Sequence, residues 1–231
     1  MRGGDGPYND PDFRAACGGT LRPGGLSLTA EALDLCAFAP GARVLDLACG
    51  AGETLKLLRA RGLEGLGLEA SPELAALARE HGPVLSGDFH GLPLADQSLD
   101  GIFCECALSL AERPEAVLAE CARVLKSGGR LVISDLVLTR TEAVGGPSGA
   151  TTVPELSSRV ERAGFSVIIQ RDHSRALKEL AARLLWHYGS AEALRALGNI
   201  CPGRARGYIL LIAAKRPVGP EGVLECSTTL R

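Results

Sequence analysis

Apolar residues recur along this chain in two alternating periods. "LSLTAEALDLCAF" (26–38) sets Leu33, Cys36 and Ala37 on one side of a helix, with Thr29 as a candidate N-cap. "PGARVLDLA" then reads as a turn and a buried strand, "ETLKLLRARG" as a helix stopped by Gly62, and "LEGLGLEAS" as a second strand. Ser71 followed by Pro72 opens a third helix that stops at "EHG". "PVLSGD" is a short third strand, "GLPLADQSLD" a loop, and "GIFCECALSL" a fourth strand running into its connection. "RPEAVLAECARVLKSGG" is an amphipathic helix closed by Gly128 and Gly129, and "RLVISDLV" (130–137) is a fifth strand.

Strand and helix thus alternate five times, which predicts an α/β fold with a mainly parallel sheet covered on both faces. Right-handed crossovers wind such a sheet in the doubly wound, Rossmann-like manner. Further on, "VGGPSGATT" is a loop, "VPELSSRVERAGF" a helix ending near Gly164, and "SVIIQRD" and "GYILLIAAKR" (207–216) are strands. The stretch between those last two strands has helical spacing and is too long for a hairpin, which predicts a helical insertion over about 172–206. The expected organisation is an N-terminal arm or lid (1–27), one domain (28–216) and a loosely held tail (217–231).

Composition narrows the function classes. At 231 residues the chain can bury a sizeable core, and a net charge of −2 with 23% charged residues argues against a nucleic-acid-coating surface. "MRGGDGPYND" lacks the apolar stretch of a signal peptide, and no apolar run approaches the roughly 18 residues that span a bilayer, so a cytoplasmic protein is expected. The eight cysteines contain no C-x-x-C pair and are expected as free, mostly buried thiols; no metal site is expected.

The candidate chemistry centres on "VLDLACGAGETL" (44–55). A glycine-rich turn between a strand and its helix points backbone amides at a ligand. The dinucleotide fingerprint G-x-G-x-x-G requires a third glycine where this chain has Leu55, and Asp46 stands where a pyrophosphate wants no carboxylate. Asp46, Glu69, Asp88 and Asp135 all fall at or near the carboxyl ends of predicted strands, the edge where doubly wound sheets collect ligands. Glu69 lies 19 residues beyond Gly50, the interval of ribose-binding acids. That negative edge suits a cationic ligand with a ribose diol and an exocyclic amine, as in S-adenosyl-L-methionine (SAM).

"VLDLACGAGETL", "GLGLEASPELAALARE", "GDFHGLPLADQSLDGIFCECAL" and "RVLKSGGRLVISD" resemble the successive motifs of class I SAM-dependent methyltransferases, in order and spacing, over about residues 28–215. The resemblance implies the seven-stranded methyltransferase sheet with its last strand antiparallel, SAM as cofactor and S-adenosyl-L-homocysteine (SAH) as product. It implies that Asp46 and the backbone of Ala48, Cys49 and Gly50 hold the methionine end, with Gly52 allowing close approach. Glu69 would take the ribose hydroxyls and Ala70 lie alongside the adenine. Asp88 and the backbone of Phe89 would meet the adenine edge, and Cys104 and Glu105 would line the sulfonium end. Arg22 and Leu26, in "RPGGLSLTAEAL", correspond to a segment that closes over the cofactor in related enzymes.

The chain departs from the family where many small-molecule members carry "NxxLHH": it has Glu105 to Leu110 without histidines, so the catalytic residues stay unassigned, with Glu105 and His90 the first bases to test. Cys104 and Cys106, two residues apart on a strand, are expected on one face, either as a soft-ligand site for a thiol or metalloid acceptor or as two small core residues. Asp100 is expected to hold the loop before the fourth strand, and Asp135 to be either structural or pocket rim. His173, Trp186, His187 and Tyr188 are read as packing or as a cover over a substrate. The expected function is methyl transfer from SAM to a small molecule, with no nucleic-acid or membrane partner. The alternatives are a noncatalytic SAM- or SAH-binding accessory protein and a nucleotide-dependent oxidoreductase.

Overall fold

The computed structural model describes residues 20, 22–138, 151–200 and 205–217. Cys17, most of the loop after the fifth strand, Arg204, the side chain of Tyr188 and the tail beyond 217 lie outside the described residues. In chain order the elements are α1 (Gly25–Cys36), β1 (Arg43–Leu47), α2 (Glu53–Ala60), β2 (Glu64–Glu69), α3 (Pro72–Ala78), β3 (Val84–Ser86) and β4 (Leu99–Glu105). There follow a 3-10 turn (Leu108–Leu110), α4 (Pro114–Val124), β5 (Leu125–Leu138), β6 (Thr151–Thr152), α5 (Val153–Arg162), β7 (Phe165–Asp172), α6 (Ser174–Ile200) and β8 (Ala205–Lys215).

The strands join one sheet in the order β3-β2-β1-β4-β5-β8-β7, with the two-residue β6 pairing beside the end of β5. β8 runs antiparallel to both its neighbours, and the other pairings are parallel. The expected seven-stranded α/β sheet with an antiparallel last strand is therefore present, and β6 is a small addition to it. The expected insertion is a single long helix, α6.

Alternation along the strands divides the core between the two faces. Leu45, Leu47, Ile102, Leu131 and Ile133 pack with Val117 and Leu118 of α4 and Leu156 of α5. Val44, Phe103, Val132, Leu210 and Ile212 pack on the other face with Leu28 and Ala32 of α1 and Leu55 and Leu58 of α2. Ser71 caps α3 as expected, its hydroxyl accepting from the Leu74 amide at 3.3 Å. Two boundaries differ from the sequence reading. α1 begins at Gly25 behind a left-handed Gly24, so Thr29 is a buried position inside the helix rather than its cap. α4 stops at Val124, because Leu125 turns extended to pair with Leu99 ahead of the regular β4–β5 register.

The loop after β3 is tied down by α4: Arg123 donates to the Leu92 and Leu94 carbonyls at 2.9 and 2.8 Å, and Glu120 accepts from the Leu92 amide at 2.7 Å. Close by, at the amino ends of β1 and β4, Asp100 accepts from the Arg43 amide at 2.9 Å and from Lys126 at 2.7 Å, the structural part expected of it.

Candidate functional site

β1 and β2 are adjacent and parallel, with Asp46 opposite Gly67 and Leu47 opposite Leu68. Their carboxyl ends bring Asp46 and Glu69 to one edge of the sheet, both buried. Between them the turn Ala48–Gly52 runs through left-handed backbone at Ala48, Gly50 and Gly52. The Cys49 amide donates to the Leu68 carbonyl at 3.0 Å, which ties the turn to β2. Glu69 ties it again, accepting from the Gly50 amide at 2.9 Å and from the Ser71 amide at 2.8 Å.

The two turn glycines do different work. A Cβ on Gly50 would meet nothing within 4 Å, so open space lies above that turn. A Cβ on Gly52 would come 2.9 Å from the Ala78 Cα, so the close approach there is of α3 rather than of a ligand. The Cys49 side chain points into the core, where a Cβ added to Gly67 would lie 2.6 Å from its sulfur, and burial raises its thiol far above the ordinary range.

Beside this turn a polar cluster forms beneath the N-terminal segment. Glu105, at the end of β4, meets Arg22 Nη2 at 2.9 Å and accepts from the hydroxyls of Thr29 at 3.0 Å, Thr54 at 3.3 Å and Ser134 at 3.3 Å. Arg22 also donates to Thr29 at 2.6 Å and to Thr54 at 3.0 Å, while its Nε is buried without a hydrogen bond. Burial and the nearby Glu105 raise Asp46 to about 7, with Arg22 and the Thr54 hydroxyl opposing the shift. Asp46 and Glu105 thus face one guanidinium, that of Arg22, while Glu69 adds its charge to the raise at Asp46 from the far side of the turn. Sequence reasoning singled out Arg22 and Glu105 but missed Thr29, Thr54 and Ser134. Thr54 had a signal, standing in the second position of the helix that follows the glycine turn.

Other expected positions fall differently. Ala70 is exposed beside Glu69. Asp88 is exposed and accepts from the His90 amide at 2.8 Å and from its ring at 2.5 Å, with the Phe89 ring against His90. Cys104 packs in the core with Leu47 and Ile133, and Cys106 packs on the other side, its sulfur 3.1 Å from the Tyr208 hydroxyl. The two cysteines do not share a face, because β4 ends at Glu105 and Cys106 takes left-handed backbone that breaks the alternation. Asp135 is structural: buried, it accepts from the Ser109 amide at 2.8 Å and the Leu136 amide at 2.7 Å, which holds the 3-10 turn. Trp186 is 91% exposed and His187 is exposed, so neither covers a pocket. No cluster of His, Cys, Asp and Glu suited to a metal ion occurs among the described residues, and no described helix is long and apolar enough to cross a membrane.

Apart from this edge, a cleft of about 840 Å³ lies between α1 and α6, lined by Thr20, Gly24–Leu28, Glu31, His173, Glu179, Ala182 and Arg183. It contains none of the strand-end carboxylates. The two concavities belong to different sides of the N-terminal segment: Thr29, one helical turn beyond Gly25, reaches the Glu105 cluster.

Residues 45–133, which span β1 to the middle of β5, match the family described as a methyltransferase domain. The malonyl-[acyl-carrier protein] O-methyltransferase of Laribacter hongkongensis is 32% identical over 212 residues, covering 78% of this chain and 68% of that protein. The chain belongs to the class I SAM-dependent methyltransferases. The chain is also 32% identical, over 153 residues, to the arsenite methyltransferase of Halobacterium salinarum, covering 57% of this chain and 39% of that one. It spans less than half the length of several of the curated relatives it matches. In fold it resembles the phosphoethanolamine N-methyltransferase 2 of Haemonchus contortus, with a TM-score of 0.68 at 16% identity, over 86% of this chain and 54% of that one.

Proposed function

We propose that the chain binds SAM at the carboxyl ends of β1, β2 and β4 and transfers its methyl group to a small molecule. The observation that carries the reading is the pair of buried carboxylates Asp46 and Glu69 flanking the Gly50 turn, with open space above Gly50. Glu69 would exchange its bond to the Gly50 amide for ribose hydroxyls, which frees that amide. Asp46 and the backbone of Ala48, Cys49 and Gly50 would hold the methionine end, with Gly52 keeping the turn against α3. Ala70, Asp88 and Phe89 would flank the adenine. When bound, SAM supplies an electrophilic methyl group that needs only an aligned nucleophile and exclusion of water.

The chain's own residues supply the second of these conditions. α1 and the residues just before it lie across the edge as a lid, pinned to Glu105 by Arg22 and by Thr29 of α1, and keep bulk water from the cluster. Glu105 supplies negative potential through its buried carboxylate rather than acting as a base, since its oxygens are occupied by Arg22, Thr29, Thr54 and Ser134. Cys104 lies in the core behind it. Soft acceptors gain no support from the cysteines, because Cys104 and Cys106 do not converge. The occupied Glu105 is the one observation that favours the second reading, a noncatalytic SAM- or SAH-binding protein. Slow SAM turnover with every acceptor class, despite tight SAH binding, would decide for it.

Against the dinucleotide alternative stands Asp46, a buried carboxylate at the strand end where a pyrophosphate would lie; Leu55 of α2 packs against Gly65 and Gly67 of β2, so the close helix–strand approach is made from the strand side without a third glycine. Calorimetry with SAH tests the main reading. Glu69→Gln should weaken SAH about 10- to 100-fold, the scale of lost charged hydrogen bonds. Unchanged affinity would place the adenosyl site elsewhere.

A further inference from the structure

The cluster beneath the N-terminal segment is unbalanced in charge. Asp46 at the end of β1 and Glu105 at the end of β4 are both buried, and one guanidinium, that of Arg22, faces them. Arg22 pairs directly with Glu105 at 2.9 Å, and the hydroxyls of Thr29, Thr54 and Ser134 also lie on Glu105. Asp46 receives less: a share of the Thr54 hydroxyl from α2 and the charge of Arg22 nearby, against the like charges of Glu105 and Glu69. Glu69 has donors of its own in the Gly50 and Ser71 amides, and Asp135 of β5 in the Ser109 and Leu136 amides. Burial holds Cys49, Cys106 and Tyr208 neutral, so no further cation or anion enters the balance from the turn or from β8. With Asp46 and Glu105 both ionised, Arg22 leaves one negative charge uncompensated in a site that excludes water, which is unfavourable. A proton on Asp46 removes that charge, in line with the rise of this group to about 7 through burial and Glu105.

The donor and the product differ by the same single charge. At its methionine end SAM carries a sulfonium and an ammonium against one carboxylate, whereas SAH keeps only the last two, which cancel. We propose that Asp46 sorts donor from product by changing its protonation: ionised beside the sulfonium of SAM, protonated beside the neutral thioether of SAH. This rests on the SAM reading above and adds to it the residue that discriminates against spent cofactor. Below about pH 7, binding the donor requires Asp46 to give up a proton, so donor affinity falls as pH drops while SAH affinity stays level. Above that pH Asp46 is already ionised, and SAM is held more tightly than the SAH left once the methyl has gone.

Calorimetry on the full chain tests this with SAH and with sinefungin, a stable SAM analogue whose ammonium stands where the sulfonium's methyl would be. Titrations near pH 6 in two buffers of different ionisation enthalpy count the protons released. Sinefungin should release about one proton and SAH less than about half of one. The ratio of sinefungin to SAH affinity should rise about tenfold from about pH 5.5 to about pH 7, a window in which the ligands' own amines stay protonated. Asp46→Asn should release no proton with either ligand and hold that ratio level. Equal proton release by the two ligands in the wild-type chain would overturn the assignment, whether or not the variant folds, and so would a ratio that keeps its pH slope in Asp46→Asn. A wild-type chain that fails to bind SAH at any of these pH values would instead overturn the SAM reading itself. Binding of both ligands with a flat ratio would overturn the role of the Asp46 proton and leave the SAM reading standing.

Discussion

At the scale of single residues, the two glycines of "CGAG" separate a ligand position from a packing position. Both take left-handed backbone, with φ of 56° at Gly50 and 86° at Gly52, so alanine costs about 1–2 kcal/mol at either. Only at Gly52 does the new methyl also strike backbone, at Ala78 of α3. Gly52→Ala should therefore lower the urea midpoint clearly more than Gly50→Ala does. SAH affinity should fall in Gly50→Ala even where the protein stays folded, because its methyl enters the open space. Equal midpoints for the two variants would refute this division. The sequence marked both residues as glycine-rich turn but had no means of telling them apart, since the neighbour that distinguishes them is 26 residues away on another helix.

Among the elements, the helical period of residues 174–200 was legible and the direction of its side chains was not. Leu180 and Leu184 are buried, while Trp186 stands 91% exposed on the same helix. A cover over a substrate is thus the wrong picture for Trp186. Trp186→Ala should change stability by no more than about 0.5 kcal/mol and leave acceptor KM as it is, measured by denaturant unfolding and steady-state kinetics. β4 gives a second case. Its period of two predicted Cys104 and Cys106 on one face, and a single left-handed residue after the strand's end sent Cys106 to the other, against Tyr208. Period arguments hold inside an element and lapse at its last residue, which is where functional side chains gather.

In the molecule as a whole, the carboxyl edge of the sheet stores negative charge against the tendency of burial to neutralise it. Asp46 is raised to about 7 in the folded chain, from an ordinary value of about 4 when unfolded. Between those values the folded state binds the extra proton, so this group's contribution to stability is intact below about pH 4 and is lost as pH rises through about 7. Asp46→Asn, which keeps an acceptor oxygen but removes the charge, should raise stability at pH 8 by on the order of 2 kcal/mol and change it little at pH 4.5. Parallel urea titrations at the two pH values check this, and an equal effect at both would show that Asp46 ionises normally.

The chain's alternating periods, its glycine turns and the spacing from Gly50 to Glu69 were enough to determine the doubly wound sheet and the edge that bears the candidate cofactor site. These are local features, set by which residues suit a strand, a helix or a left-handed turn. Only the tertiary structure decided that Arg22, Thr29, Thr54 and Ser134 converge on Glu105, that Asp135 supports a turn, and that a cleft opens between α1 and α6. Those outcomes depend on elements far apart in sequence meeting at one edge, and on which buried charges find partners there. Neither is written in any one segment.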